Sequence, residues 1–134
     1  MNATSASMQD MNASYANMQS GLFEYATLDR ANLRTASAKC AIFTNASMRG
    51  VDAGCPLKSP WMMTDFTEAT MTRVVFHNAN LTGAIFDSAD FAGAKFAGAS
   101  LAGAYFDSAD LSEADFGKYA GASYSDPSIE SANF

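Results

Sequence analysis

The chain has one histidine, two cysteines and one tryptophan in 134 residues, and each scarcity removes a class of chemistry. His77 has no second imidazole with which to share a metal or relay a proton, and its place after Phe76 puts it on the outer surface. Cys40 and Cys55 stand fifteen residues apart with no second pair, a spacing that makes no zinc site. Neither a glycine-rich phosphate loop nor a nucleophile elbow occurs. No apolar run of roughly eighteen residues is present to cross a membrane. The opening Met1-Asn2-Ala3-Thr4-Ser5 has neither the basic stretch nor the apolar block of a secretory signal. Only three prolines and nine glycines are present, too few for a disordered chain. The expectation is a non-catalytic protein with no cofactor and no metal, placed in the cytoplasm.

What is present is a period. A large apolar residue falls at Phe66, Met71, Phe76, Leu81, Phe86, Phe91, Phe96, Leu101, Phe106, Leu111 and Phe116, five residues apart each time. Two positions before each stands a small or β-branched residue, and from Ala79 to Ala114 it is always alanine. The residue between the two is usually polar, as in Ala79-Asn80-Leu81 and Ala89-Asp90-Phe91. A period of five fits neither a 3.6-residue helix nor a two-residue strand. It fits a chain that makes one short side and one corner per repeat, turning the small and the large residue inward and three positions outward. Self-similarity at a short fixed period signals a solenoid.

The motif A-(D/N)-(L/F)-x-x, met eleven times running, resembles the pentapeptide repeat family over nearly the whole chain. The resemblance implies an all-β fold, a right-handed quadrilateral parallel β-helix with four repeats per coil and about six coils in all. It says little about function, because fold does not imply function. Some members are dimeric acidic rods that resemble B-DNA, bind DNA gyrase and protect it from quinolones. The first half here is not acidic, and the capping dimerisation helix and long loops of those members are missing.

The opening residues repeat the theme in a different frame, as in Ala6-Ser7-Met8, Ala26-Thr27-Leu28 and Ala41-Ile42-Phe43. Met1-Asn2-Ala3 and Met11-Asn12-Ala13 swap large and small, which keeps the summed volume roughly constant. Both slots are small at Ala36-Ser37-Ala38. The whole chain, 1–134, is therefore expected to be one domain with a loop interruption at 54–63 and a smaller one at 117–121. Phe66 follows Ala53 by thirteen residues, which reads as about three extra residues around Pro56 and Pro60, where backbone donors are lost. Trp61 either fills a core slot five residues before Phe66, pins the loop, or is exposed as a contact residue. Repeats reach the last residue, Phe134, which suggests end-to-end pairing, a homodimer through the C-terminal coil or longer assembly.

The net charge is −6 and unevenly placed. Residues 1–63 carry five basic and four acidic side chains, residues 64–134 three basic and ten acidic. An acidic second half disfavours direct contact with nucleic acid or acidic membranes and favours a basic protein partner. Residues twenty apart should stack at about 4.8 Å, the strand spacing. That puts Asp107 over Asp87 and Asp110 over Asp90, like charges that repel. The cluster is a solvated face, a docking patch for a basic protein, or a cation site, the last short of the six to eight oxygens calcium takes. The same offset places Arg30 over Asp10, Arg49 over Asp29 and Asp115 over Lys95. Carboxylate pairs on a convex rod have no cleft to shield a reaction, so no catalytic residue is expected. Cys40 and Cys55 fall at neighbouring corners; they are either two free thiols or, if the loop bends inward, a disulfide of an oxidising compartment.

Overall fold

The computed structural model describes residues 1–54 and 63–117. The chain coils into a four-sided solenoid whose sides touch the next coil through single-residue parallel bridges. The middle residue of each repeat forms the bridge. The first side runs Asn2, Leu22, Ile42, Thr70, Asp90, Asp110, and the second runs Ser7, Thr27, Ser47, Val75, Lys95, Asp115. The third comprises Asn12, Asn32, Asp52, Asn80 and Ser100, the fourth Asn17, Ser37, Asp65, Ile85 and Tyr105.

Backbone hydrogen bonding explains the repeat. In Ala89–Gly93, Asp90 N–H reaches back to Ala69 O, while Phe91 and Gly93 N–H reach forward to Asp110 O and Ser112 O. Ala89 N–H closes the preceding corner on Phe86 O at 3.0 Å. Four of the five amides are thereby used. The fifth, Ala92 N–H, is taken by Asp90 Oδ1 at 2.9 Å. Asn12, Asn17, Asn32, Asp52, Asp65, Asn80, Asp110 and Asp115 do the same for their own repeats. A side-chain oxygen two residues upstream is an Asx turn, so Asp or Asn at the middle position supplies the acceptor that the ladder lacks.

Every fifth residue from Ser5 to Gly50 and from Glu68 to Glu113 has φ between +50° and +73°. Positive φ at only the second of two corner residues is the signature of a type II turn. Non-glycine residues hold most of these positions, at a cost of about 1–2 kcal/mol each. The surrounding ladder imposes that conformation.

Inside, the large residues stack in columns. Phe66, Phe86 and Phe106 stack with ring centroids 5.2 and 5.0 Å apart, and Phe76, Phe96 and Phe116 at 5.4 and 5.0 Å. Phe86 also meets Phe91 edge-on at 5.1 Å, so neighbouring columns interlock. Met71, Leu81, Leu101 and Leu111 complete the series; all eleven are buried except Phe116, which is half-buried. In the first half Phe23 stacks on Phe43 at 4.8 Å. Gly21 is the small partner there because the Phe23 ring occupies the space its Cβ would take.

The ladder corrects the expected size of the first interruption. The bridges Ser37–Asp65, Ile42–Thr70, Ser47–Val75 and Asp52–Asn80 join residues 28 apart where the other described bridges span 20. Eight extra residues, not three, enter this coil. Three and eight leave the same remainder on division by five, so the hydrophobic phase of the sequence cannot tell them apart. The expected interruption at 117–121 and the repeats up to Phe134 lie outside the described residues, Gly117 excepted.

Candidate interaction surface

Four of the second half's aspartates, Asp87, Asp90, Asp107 and Asp110, gather where the fourth side turns into the first. Asp87 and Asp107 occupy that corner on successive coils, and Asp90 and Asp110 are a bridge pair on the first side. Three of the four carboxylates are turned toward nearby donors. Asp87 Oδ1 accepts from Asp107 N–H at 3.1 Å. Asp90 accepts from Ala92 N–H and, on its other oxygen, from Thr72 Oγ1 at 3.2 Å. Asp110 accepts from Ser112 N–H at 2.9 Å, and that bond, with one from the Ser112 side chain, holds its carboxyl below the usual carboxylate range. Asp107 is exposed, and its carboxylate has no hydrogen bond to another described residue. No described cation lies within ion-pair distance of these four carboxylates.

The first half differs. Arg30 forms a two-pronged pair with Asp10, both bonds 2.7 Å, which lowers the pKa of Asp10 and raises that of Arg30. Arg34 pairs with Asp52 at 3.0 Å and Lys39 with Asp65 at 3.1 Å, contacts the twenty-residue offset does not reveal. Arg34 and Asp52 are eighteen apart, the diagonal from a corner to the next coil's bridge residue. Thr72 and Asp90 use the same diagonal, as do Ser47 and Asp29 at 2.6 Å. Two expected stacks form no ion pair: Asp29 accepts from Arg49 N–H at 3.0 Å, and Lys95 and Asp115 are bridge partners only.

The interruption is anchored on both sides. Before it, Asp52 binds Gly54 N–H, Asn80 Nδ2 and Arg34. A Cβ at Gly54 would stand 2.7 Å from Asn80 Oδ1, so a larger residue would displace the Asn80 amide from Asp52. After it, Thr64 takes the small-residue slot before Phe66 and is fully buried. Its hydroxyl donates to Leu33 O at 2.9 Å and accepts from Thr35 N–H at 3.2 Å. At the equivalent corner one coil earlier, Tyr15 N–H bonds Arg34 O at 3.0 Å. By that rule Thr35 N–H would reach Gly54 O; it donates to the Thr64 hydroxyl instead.

Trp61 and Cys55 lie outside the described residues. Cys40 is an exposed free thiol at a corner, and its Sγ donates to Glu68 Oε2 at 3.2 Å, which raises its pKa. His77 is a half-buried corner residue. Among the described residues no three His, Cys, Asp or Glu side chains converge as a metal set, and no helix is long and apolar enough to cross a membrane.

A parallel solenoid with a five-residue repeat, Asx-capped corners at many of its repeats and a stacked phenylalanine core is a defined class of protein. A family model for pentapeptide repeats matches residues 22–52, 63–87 and 84–118 in eight copies, and the chain belongs to that family. Members fold as right-handed quadrilateral β-helices. A trypsin-treated variant of QnrB1, a plasmid-mediated fluoroquinolone resistance protein, superposes with TM-score 0.70 at 24% identity over 92% of this chain and 52% of that one. A pentapeptide repeat protein, Rfr23, of the cyanobacterium Cyanothece gives 0.55 at 24% identity over 70% and 55%. One from the Arabidopsis thaliana thylakoid lumen gives 0.56 at 20% identity over 83% and 68%. The chain spans about half the length of the first two, at 52% and 55%. No curated protein matches it.

Proposed function

We propose that the protein is a non-catalytic interaction rod of about six coils that presents its acidic second half and its 54–63 loop to a basic protein partner in the cytoplasm. The observation that carries this is the corner of Asp87 and Asp107 with the adjoining pair Asp90 and Asp110, stacked like charges without an ion-pair partner among the described residues. A stack of like charges costs stability, and a basic partner offsets that cost. The test is affinity capture from a lysate at low and high salt, comparing the wild type with Asp87→Asn, Asp90→Asn, Asp107→Asn and Asp110→Asn combined. Asparagine keeps the Asx acceptor at Asp90 and Asp110 and removes only the charge. Salt-sensitive capture that the variant loses supports the reading; capture unchanged by the variant overturns it.

The likeness to QnrB1 over 92% of the chain favours a second reading, a DNA-mimicking rod that modulates DNA gyrase. A gyrase supercoiling assay with and without a quinolone tests it: dose-dependent inhibition or protection supports it, and no effect up to about 10 μM, an affinity weaker than about −7 kcal/mol, retires it. End-to-end assembly, including a homodimer through the C-terminal coil, is read from mass against concentration by light scattering.

A further inference from the structure

The fourth side of the second half carries a shallow groove of about 270 Å³ lined by Met63, Ile85, Asp87 and Tyr105. Ile85 and Tyr105 are successive bridge residues, so an aliphatic and an aromatic side chain stand one above the other on the outside of the coil. Met63 is only 9% exposed, whereas Tyr105 is 43% exposed. On the same side of the first half the bridge residues are Asn17 and Ser37, both polar. Asp87 closes one edge of the groove, and Asp107 repeats it one coil further on. The volume falls below the roughly 300–1,000 Å³ of small-molecule sites. It suits one side chain rather than a metabolite.

We propose that this groove receives a single apolar side chain from a basic protein segment, with flanking Lys or Arg residues set against Asp87 and Asp107. The inference rests on the acidic-rod reading and adds the place and the chemistry of contact. Charge complementarity selects this occupant over a second copy of the chain, which would bring the same net −6 to the interface. An aromatic anchor filling a desolvated pocket is the usual arrangement of an interface hot spot.

The experiment is fluorescence anisotropy of the full chain with labelled Lys-Lys-Trp-Lys-Lys, with Lys-Lys-Gly-Lys-Lys and Glu-Glu-Trp-Glu-Glu as controls. The first peptide is expected to bind at about 100 μM or tighter, and each control about tenfold more weakly. Tyr105→Ser, and separately Asp87→Asn with Asp107→Asn, should each weaken binding about fivefold, with Glu24→Gln without effect and circular dichroism unchanged. Equal binding of the tryptophan and glycine peptides, or indifference to Tyr105→Ser, overturns the groove; if the aspartate variants still weaken binding, the acidic rod stands. No binding of either basic peptide at about 1 mM overturns both. Self-association of the free protein that Tyr105→Ser abolishes would give the groove to a second copy and overturn the proposal.

Discussion

At the middle position of a repeat a carboxylate is turned back on its own chain, and this sets how it titrates. Ser112 N–H, and after it the Ser112 side chain, hold the Asp110 carboxyl below the usual range. A group whose folded pKa is depressed stabilises the fold fully above its unfolded value, near 3.9, and loses that contribution as pH falls through the folded value. Carboxyl NMR titration should therefore place the Asp110 midpoint below the ordinary value, and Ser112→Ala should raise it part of the way while the backbone bond remains. Cys40 carries the opposite consequence. Its bond to Glu68 keeps the proton on sulfur, and the thiolate is the reactive form. In a Cys55→Ser background, iodoacetamide should modify Cys40 more slowly than a free cysteine, and Glu68→Gln should speed the reaction about two- to tenfold. The stacking of Asp107 over Asp87 could be read from the twenty-residue offset. The Asx role of Asp90 and Asp110 could not be read from charge, because it depends on which amide the ladder leaves over.

Within one coil, stacked phenylalanines hold the second half together, and the buried Thr64 hydroxyl ties the start of that half to Leu33 and Thr35 of the coil before it. Phe86 meets four other rings, stacked on Phe66 and Phe106 and edge-on to Phe76 and Phe91. Phe86→Ala should cost about 3–5 kcal/mol in urea unfolding. Thr64→Val is nearly isosteric and removes the acceptor of Thr35 N–H and the donor to Leu33 O. A loss of about 1–3 kcal/mol is expected, with hydrogen exchange faster at Thr35 than at Tyr15. Periodicity makes the columns legible because each ring recurs at a fixed interval. Thr64 reads in sequence as one more small residue, and its bonds to Leu33 and Thr35 depend on which coil lies beside it. The ion pairs Arg34–Asp52 and Lys39–Asp65 were hidden for a related reason: the first needs the corner-to-bridge diagonal, and the second spans the coil of unknown length.

Among the described residues, the ion pairs are made by Arg30, Arg34 and Lys39 of the first half, while Asp87, Asp90, Asp107 and Asp110 of the second have no cation within ion-pair distance. Screening should therefore stabilise this protein: the melting temperature is expected to rise between low and moderate salt, and Asp87→Asn with Asp107→Asn should flatten that rise. A melting temperature that falls with salt would mean that attraction dominates the surface. The class of fold was open to the sequence because a solenoid repeats its reasons every few residues, whereas the docking groove joins Met63, Ile85 and Tyr105 from three separate repeats. Both stems of the detour in the 28-residue coil are tied to the ladder, at Asp52 and at Thr64 with Asp65, so the register of everything downstream is indifferent to how much chain lies between them. Doubling such a loop costs only about 0.6 kcal/mol in closure entropy. That corner is a graft point, where an epitope, a tag or a small folded domain could be spliced into the rod without rephasing a single turn of it.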